Sequence, residues 1–268
     1  MDSGTRLFGV LGHPVGHSRS PVMHNAAFSA LCINAAYLAF DVKNPEGVPE
    51  AMRTLGIRGM SVTLPHKEAF LSLVDALDPM AEAMGAVNTL CLGEDGRISG
   101  MNTDWCGARD ALLSVTSLEG KRVAVIGAGG AGRAVAYGIR DAGGEPLVVN
   151  RSRERGEALA RELEAPFCPL SDFSGEDVAV LVNTTSVGMH PFPDAMPVEA
   201  GVLHPGMVVM DIVYAPRKTR LLAAAEACGC RVVDGLEMFI RQGALQFETW
   251  TGQPAPLDVM RRAVEASL

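Results

Sequence analysis

Short apolar runs alternate with stretches of helical spacing through the first hundred residues. Runs at 7–11, 37–42 and 59–64 predict strands, and 20–31 and 45–55 predict helices between them. Residues 88–92 and 97–99, separated by Gly93-Glu-Asp-Gly96, read as a hairpin. A helix is expected over 105–116, followed by a turn at Leu118-Glu-Gly120-Lys121. Beyond it, apolar runs at 123–126, 146–149, 178–183 and 206–211 are too short for helices and suit buried strands with helices between them. The tail, 238–268, is expected to be helical. Its Phe239, Leu245, Phe247 and Trp250 need a partner core, which the first domain would supply. Such alternation predicts an α/β fold with helical crossovers, divided into two domains.

Composition narrows the function classes. The 268 residues are 48% hydrophobic and 20% charged, as in an ordinary globular protein. A formal net charge of −8 argues against a general nucleic-acid surface, so an anionic ligand needs a local basic or N–H-rich pocket. The first residues carry an acid and no long apolar run, so neither a signal peptide nor a membrane span is expected. The six cysteines form no C-x-x-C or Cys/His pattern; reduced thiols, a cytoplasmic location and no metal are expected.

The most informative stretch is Val123-Ala-Val-Ile-Gly127-Ala-Gly129-Gly130-Ala131-Gly132. Gly127, Gly129 and Gly132 fit G-x-G-x-x-G, a strand, tight turn and helix start that lets a pyrophosphate approach the backbone. The phosphate then meets free N–H groups and the positive end of the helix dipole. An NAD site usually has Asp or Glu at the end of the next strand; here that strand ends in Asn150-Arg151-Ser152, with Arg153 and Arg155 behind. Guanidinium groups bind a ribose 2′-phosphate that a carboxylate would repel, so NADP is the expected cofactor. Glycines at these positions also serve tight turns, and an arginine such as Arg155 also serves as the partner of a neighbouring glutamate.

In the N-terminal half, polar residues stand where strands should end. Ser18 and Ser20, beside a helix start, suit a small carboxylate, while Ser20 before Pro21 also reads as an N-cap. Thr63 and Lys67 follow the third strand, and Asn102-Thr103-Asp104 follows the hairpin. Lys67 paired with Asp104 can move a proton on or off a substrate hydroxyl while hydride leaves the adjacent carbon. Taken singly, Lys67 reads as a surface charge and Asp104 as a helix cap.

Over essentially its full length the chain resembles the shikimate dehydrogenase family. The matching blocks are Gly12-x-Pro14-x-x-His17-Ser18-x-Ser20-Pro21, Val62-Thr63-x-Pro65-x-Lys67, Gly85-Ala86-Val87-Asn88-Thr89 and Asn102-Thr103-Asp104. They continue through the Gly127 loop, Asn150-Arg151-Ser152, Asn183-Thr184-Thr185-Ser186-x-Gly188-Met189, Asp211-x-x-Tyr214, Asp234-Gly235-x-x-Met238 and Gln242. The resemblance implies NADP-dependent interconversion of shikimate and 3-dehydroshikimate in aromatic amino-acid biosynthesis. It also implies a substrate and catalytic domain over 1–104, a connecting helix over 105–117, a Rossmann-like NADP domain over 118–236 and C-terminal helices over 237–268 that return to the first domain, with the active site in the cleft. By motif position, Ser18 and Ser20 would bind the substrate carboxylate. Thr63, Asn88, Asp104, Tyr214 and Gln242 would line the ring hydroxyls, and Lys67 would be the acid/base. Gly127, Ala128, Gly129, Gly130, Ala131, Asn150, Arg151, Ser152 and Arg155 would hold the cofactor, with Ile212 and Gly235 near its nicotinamide. Ile212 stands where many relatives have Met, Met60-Ser61 where Asn is common, and Trp105-Cys106 where Gly is frequent; the bulky Trp105 would narrow the cleft or pack beside the cofactor. A quinate or dual quinate/shikimate dehydrogenase is the alternative within the family, and a non-catalytic ligand sensor the alternative outside enzymes. The expected assembly is a monomer or homodimer.

Overall fold

The computed structural model describes residues 1–268, which divide into two compact units: Met1–Thr103 with Gln242–Leu268, and Asp104–Arg241. In the first unit the chain runs β1 (Arg6–Gly12), α1 (Ser20–Ala30), β2 (Ala35–Asp41), α2 (Val48–Leu55), β3 (Ile57–Val62), α3 (Phe70–Leu73), β4 (Ala76–Leu77), α4 (Pro79–Met84), β5 (Thr89–Leu92) and β6 (Ile98–Met101). Its six-stranded sheet has the order β2-β1-β3-β5-β6-β4. β1 is parallel to both β2 and β3, whereas β5 runs antiparallel to β3 and to β6. This polarity brings together the carboxyl ends of β1 and β3, the start of β5 and the end of β6 at one edge of the sheet.

The second unit runs α5 (Asp104–Leu113), β7 (Arg122–Ile126), α6 (Gly130–Asp141), β8 (Glu145–Asn150), α7 (Arg153–Glu162), β9 (Phe167–Pro169), β10 (Val180–Asn183), β11 (Val208–Asp211), α8 (Arg220–Ala227) and β12 (Arg231–Val233). Its sheet is wholly parallel, in the order β12-β11-β10-β7-β8-β9. Alternate residues of each central strand feed opposite cores, as a pleat covered on both faces requires. Val123, Val125, Val180 and Val182 join one cluster with Ile139 and Leu159; Ala124, Ile126 and Leu181 join another with Val202 and Leu221.

The terminal segment comprises α9 (Gly235–Thr251) and α10 (Leu257–Glu265), and the division between units falls within α9. Instead of one continuous helical tail there are two helices. Gly252 adopts φ +69° and Pro254 follows two residues later, which together stop α9. α10 packs on α1. On α9, Trp250 donates from Nε1 to the Leu90 carbonyl at 3.0 Å and fills the space that a Cβ on Gly59 would need.

Several boundaries differ from the sequence expectation. The short elements α3, β4, α4, β9 and β12 carry too few residues to show a period. Ser20 is the first residue of α1 and Arg19 its N-cap, with no side-chain capping bond, so the capping role read for Ser20 does not hold. α5, expected as a connector, lies in the second unit and approaches α6 closely, a Cβ on Gly138 falling 2.5 Å from the Trp105 carbonyl oxygen.

Candidate active site

At the edge of the first sheet, the loop after β1 carries Ser18, and Ser20 opens α1. Ser18 is half-buried and its Oγ accepts from the Ser20 N–H at 3.3 Å; Ser20 is buried. The loop after β3 starts beside it. The Thr63 N–H donates to the Leu11 carbonyl at 2.9 Å, and the Thr63 methyl occupies the space a side chain on Gly12 would need. His66 pins this loop, its buried ring donating from Nε2 to the Val42 carbonyl at 2.7 Å. The Lys67 carbonyl accepts from Val87 N–H at 2.9 Å, which holds half-buried Lys67 one residue from the start of the Asn88 segment.

Asn88 is buried and couples β5 to the segment after β6. Its Oδ1 accepts from Thr103 N–H at 2.8 Å and from Thr89 Oγ1 at 2.7 Å, while its Nδ2 donates to Thr103 Oγ1 at 3.0 Å. Asn102 secures the same turn by donating to the Ala86 carbonyl at 2.9 Å. Asp104, next in the chain, is the first residue of α5 and half-buried. The structure thus gathers Ser18, Ser20, Thr63, Lys67 and Asn88 at one sheet edge, with Asp104 directly following Thr103 from that edge. Gln242, half-buried, is the first α9 residue of the same unit.

The second unit has its own polar edge, at the carboxyl ends of its parallel strands. After β7, Gly127 takes φ +115°, which a side chain would resist, and a Cβ there would lie 2.7 Å from Thr184 Oγ1. A Cβ on Gly132 would collide with the Gly127 carbonyl, so this glycine lets α6 start against the turn. Gly129 and Gly130 face open space, and Gly129 caps α6 without any side-chain bond to the first helical N–H groups. The loop that Ala128 and Ala131 complete is therefore a cradle of backbone donors with room for an anion. Thr184 holds it from beneath, donating to the Ile126 carbonyl at 2.8 Å.

After β8, Asn150 donates to the Ser152 carbonyl at 2.8 Å, which shapes the turn into α7. Arg151, Ser152 and Arg155 are exposed there; the glutamate pairing considered for Arg155 is made by Arg153, to Glu157 at 3.1 Å. A cavity of about 940 Å³ opens beside Arg151, lined also by Leu170, Phe173, Arg220 and two acids, Asp194 and Glu199. These residues fit an NADP ribose phosphate: a donor-rich loop, guanidinium groups and no carboxylate at the end of β8.

The loop after β11 is fixed by fully buried Asp211. Its carboxylate accepts from Asn183 Nδ2 at 2.9 Å, Val213 N–H at 3.1 Å and Thr219 Oγ1 at 2.7 Å. Burial raises the Asp211 pKa, and these donors oppose the rise. The loop carries Tyr214, whose ring stacks on Phe239 with centroids 5.0 Å apart. Gly235 starts α9 against the Ile212 carbonyl, where any Cβ would collide, so these two residues are neighbours. Trp105 packs within the second unit, with the Arg109 guanidinium 5.0 Å from its ring centroid and Arg109 paired to Asp141. No group of three or more His, Cys, Asp or Glu is placed to hold a metal, and no helix is long and apolar enough to cross a membrane.

The sequence reading passed over three buried polar residues in the first unit, His24, Tyr37 and Gln246, and gave Ser61 no role beyond standing where Asn is common. Gln246 had a signal, since it stands one helical turn after Gln242.

A mixed sheet carrying a Ser/Thr/Lys/Asn edge, joined to a parallel sheet with a glycine loop for a dinucleotide, defines a two-unit α/β dehydrogenase. Family models match along the chain: the shikimate dehydrogenase substrate binding domain over 10–90, shikimate/quinate 5-dehydrogenase over 110–218 and the shikimate 5′-dehydrogenase C-terminal domain over 235–265. Shikimate dehydrogenase (NADP(+)) of Methanosarcina acetivorans is 45% identical, the match covering 98% of this chain and 99% of that protein. A solved shikimate dehydrogenase in complex with NADP+ superposes with TM-score 0.96 at 39% identity, over 100% of this chain and 97% of that one. The enzyme of Thermus thermophilus in complex with NADP(H) and shikimate gives TM-score 0.92 at 40% identity, over 98% of this chain and 100% of that one. The chain belongs to the shikimate dehydrogenase family.

Proposed function

We propose that this protein catalyses the NADP-dependent, reversible reduction of 3-dehydroshikimate to shikimate, in the cytoplasm, as a monomer or homodimer. The observation that carries this reading is that Ser18, Ser20, Thr63, Lys67 and Asn88 stand at one edge of the first sheet, with Asp104 next in the chain after Thr103. Membership of the family supplies the substrate class.

In this reading Ser18 and Ser20 bind the substrate carboxylate, and Thr63, Asn88, Asp104, Tyr214 and Gln242 hold the ring hydroxyls. NADP+ supplies the hydride acceptor when bound to the Gly127–Ala131 loop, Asn150, Arg151, Ser152 and Arg155, with Ile212 and Gly235 beside the nicotinamide. Lys67 and Asp104 are the catalytic residues. In the oxidative direction they take the proton from the substrate hydroxyl as hydride leaves the same carbon; in the reductive direction they return it to the carbonyl oxygen. Residues 1–104 with 237–268 serve the substrate and 118–236 serve the cofactor, 105–117 connecting them. The test is reduction of NADP+ by the purified protein with shikimate and, separately, with quinate. Turnover of shikimate with little of quinate supports the proposal, and turnover of neither removes it.

A further inference from the structure

Gln246 lies in α9 and is buried among Ser61 of β3, Asn88, Thr89 of β5 and His24 of α1, and its carboxamide orientation follows from its hydrogen-bond partners. The Asn88 carbonyl can only accept, and it faces Gln246 Nε2 at 3.1 Å. Thr89 Oγ1 gives its proton to Asn88 Oδ1, so it accepts from Gln246 Nε2 at 2.9 Å. Both Nε2 hydrogens are thereby used, and Oε1 faces Ser61, which donates to it at 2.7 Å. Ser61 in turn accepts from the Tyr37 hydroxyl at 2.6 Å. Asn25 of α1 holds the Tyr37 backbone with two bonds, at 2.8 and 2.9 Å. Every donor in this buried chain has one direction.

The consequence falls on Asn88. With Thr89 Oγ1 and Thr103 N–H both donating to its Oδ1, its carboxamide is locked with the oxygen inward. Beyond Thr103, Asn88 can offer only an N–H. A substrate hydroxyl facing it must accept, which leaves that hydroxyl's own proton directed elsewhere, as proton removal demands.

We propose that Gln246 is a positioning residue for the reaction, holding Asn88 as a donor and Thr103 in register ahead of Asp104, with Ser61 and Tyr37 locking the Gln246 amide. This rests on the reading of Asn88 as a substrate-binding residue. It also gives a defined role to Ser61, which stands where Asn is common in the family. That side chain is small enough to accept from Tyr37 and donate to Gln246 within the sheet.

The experiment compares Gln246→Leu, Gln246→Glu and Asn88→Ala with the unmodified protein. Steady-state kinetics with shikimate, NADP+ affinity by fluorescence and thermal unfolding are measured for each. Gln246→Leu should lower kcat/KM for shikimate about 10-fold or more while NADP+ affinity stays within about twofold. Gln246→Glu cannot donate to the Asn88 carbonyl when ionised, so its activity relative to the unmodified protein should recover as pH falls and the carboxyl protonates. That pH-dependent recovery settles the matter even if the Leu variant does not fold. An impaired Asn88→Ala beside a fully active Gln246→Leu, or a Gln246→Glu profile parallel to the unmodified protein, overturns the positioning role alone. A fully active Asn88→Ala overturns the underlying reading of Asn88 and the positioning role with it.

Discussion

Asn88, just before β5, and Thr103, just after β6, clasp one another at the end of the first sheet: the Thr103 N–H donates to Asn88 Oδ1 at 2.8 Å, and Asn88 Nδ2 donates to Thr103 Oγ1 at 3.0 Å. Both residues are buried, so removing either partner leaves a polar group without water to replace it, at about 1–3 kcal/mol. The clasp joins the start of β5 to the residue that precedes Asp104.

Lys67 hangs from a turn anchored by His66 and by the Lys67 carbonyl, so its loss should leave the loop in place. Lys67→Ala should lower kcat with shikimate about 100-fold or more with a much smaller change in KM, the scale of general acid/base catalysis. Kinetics from about pH 6 to about pH 10, with NADP affinity measured in parallel, check this. A variant that keeps most of its kcat and the same pH profile would remove Lys67 from the mechanism.

Arg151 is exposed at the carboxyl end of β8, beside the cavity, with no acid at Asn150 to repel a phosphate. NADP should be preferred over NAD by roughly 100-fold or more in kcat/KM, equivalent to about 3 kcal/mol of charge-assisted contacts. Arg151→Ala should shrink that ratio by weakening NADP and leaving NAD little changed. Equal use of both cofactors by the unmodified protein would sink the idea.

Neither Ser18 nor Ser20 is the N-cap of α1, and Ser18 Oγ takes only the N–H of its first residue, so replacing either should cost little stability. Ser18→Ala loses one acceptor for the Ser20 N–H, about 1 kcal/mol. Each Ser→Ala change should raise KM for shikimate while unfolding shifts only slightly. A collapse of thermal stability with unchanged kinetics in the folded fraction would show that the serines are structural.

His24 is fully buried, stacked on Tyr37 with ring centroids 4.4 Å apart, and neither ring nitrogen has a hydrogen-bond partner, although Gln246 faces it. Burial lowers its pKa from 6.5 to about 3, with Gln246 opposing the shift. Below the ordinary value the unfolded chain binds a proton that the folded protein refuses. Stability is therefore fully present above about pH 6.5 and declines as pH falls toward about 3, by up to about 1.4 kcal/mol per pH unit. His24→Phe keeps a ring in the stack and removes that proton, so its Tm should fall less than the unmodified protein's between about pH 7 and about pH 5. Identical slopes would show that other groups govern acid sensitivity.

Much of this protein was legible as pattern. Short Val/Ile/Leu runs marked the strands of the second unit because a parallel sheet buries both faces of every central strand. The Gly127 loop was legible because a positive φ and a close backbone approach admit only glycine, and those demands are local. Motif blocks named Ser18, Lys67, Asn88 and Asp104 without saying what held them. Only the tertiary structure decided that Ser20 begins a helix without capping it, that Arg153 and not Arg155 takes the glutamate, and that Asp211 is an internal clamp. The same holds for the buried chain from Tyr37 through Ser61 and Gln246 to Asn88, whose members are 24, 185 and 158 residues apart in successive contacts. Propensity and spacing act over one or two turns of chain, whereas the direction of a hydrogen bond is set by whichever distant donor or acceptor packing brings to it.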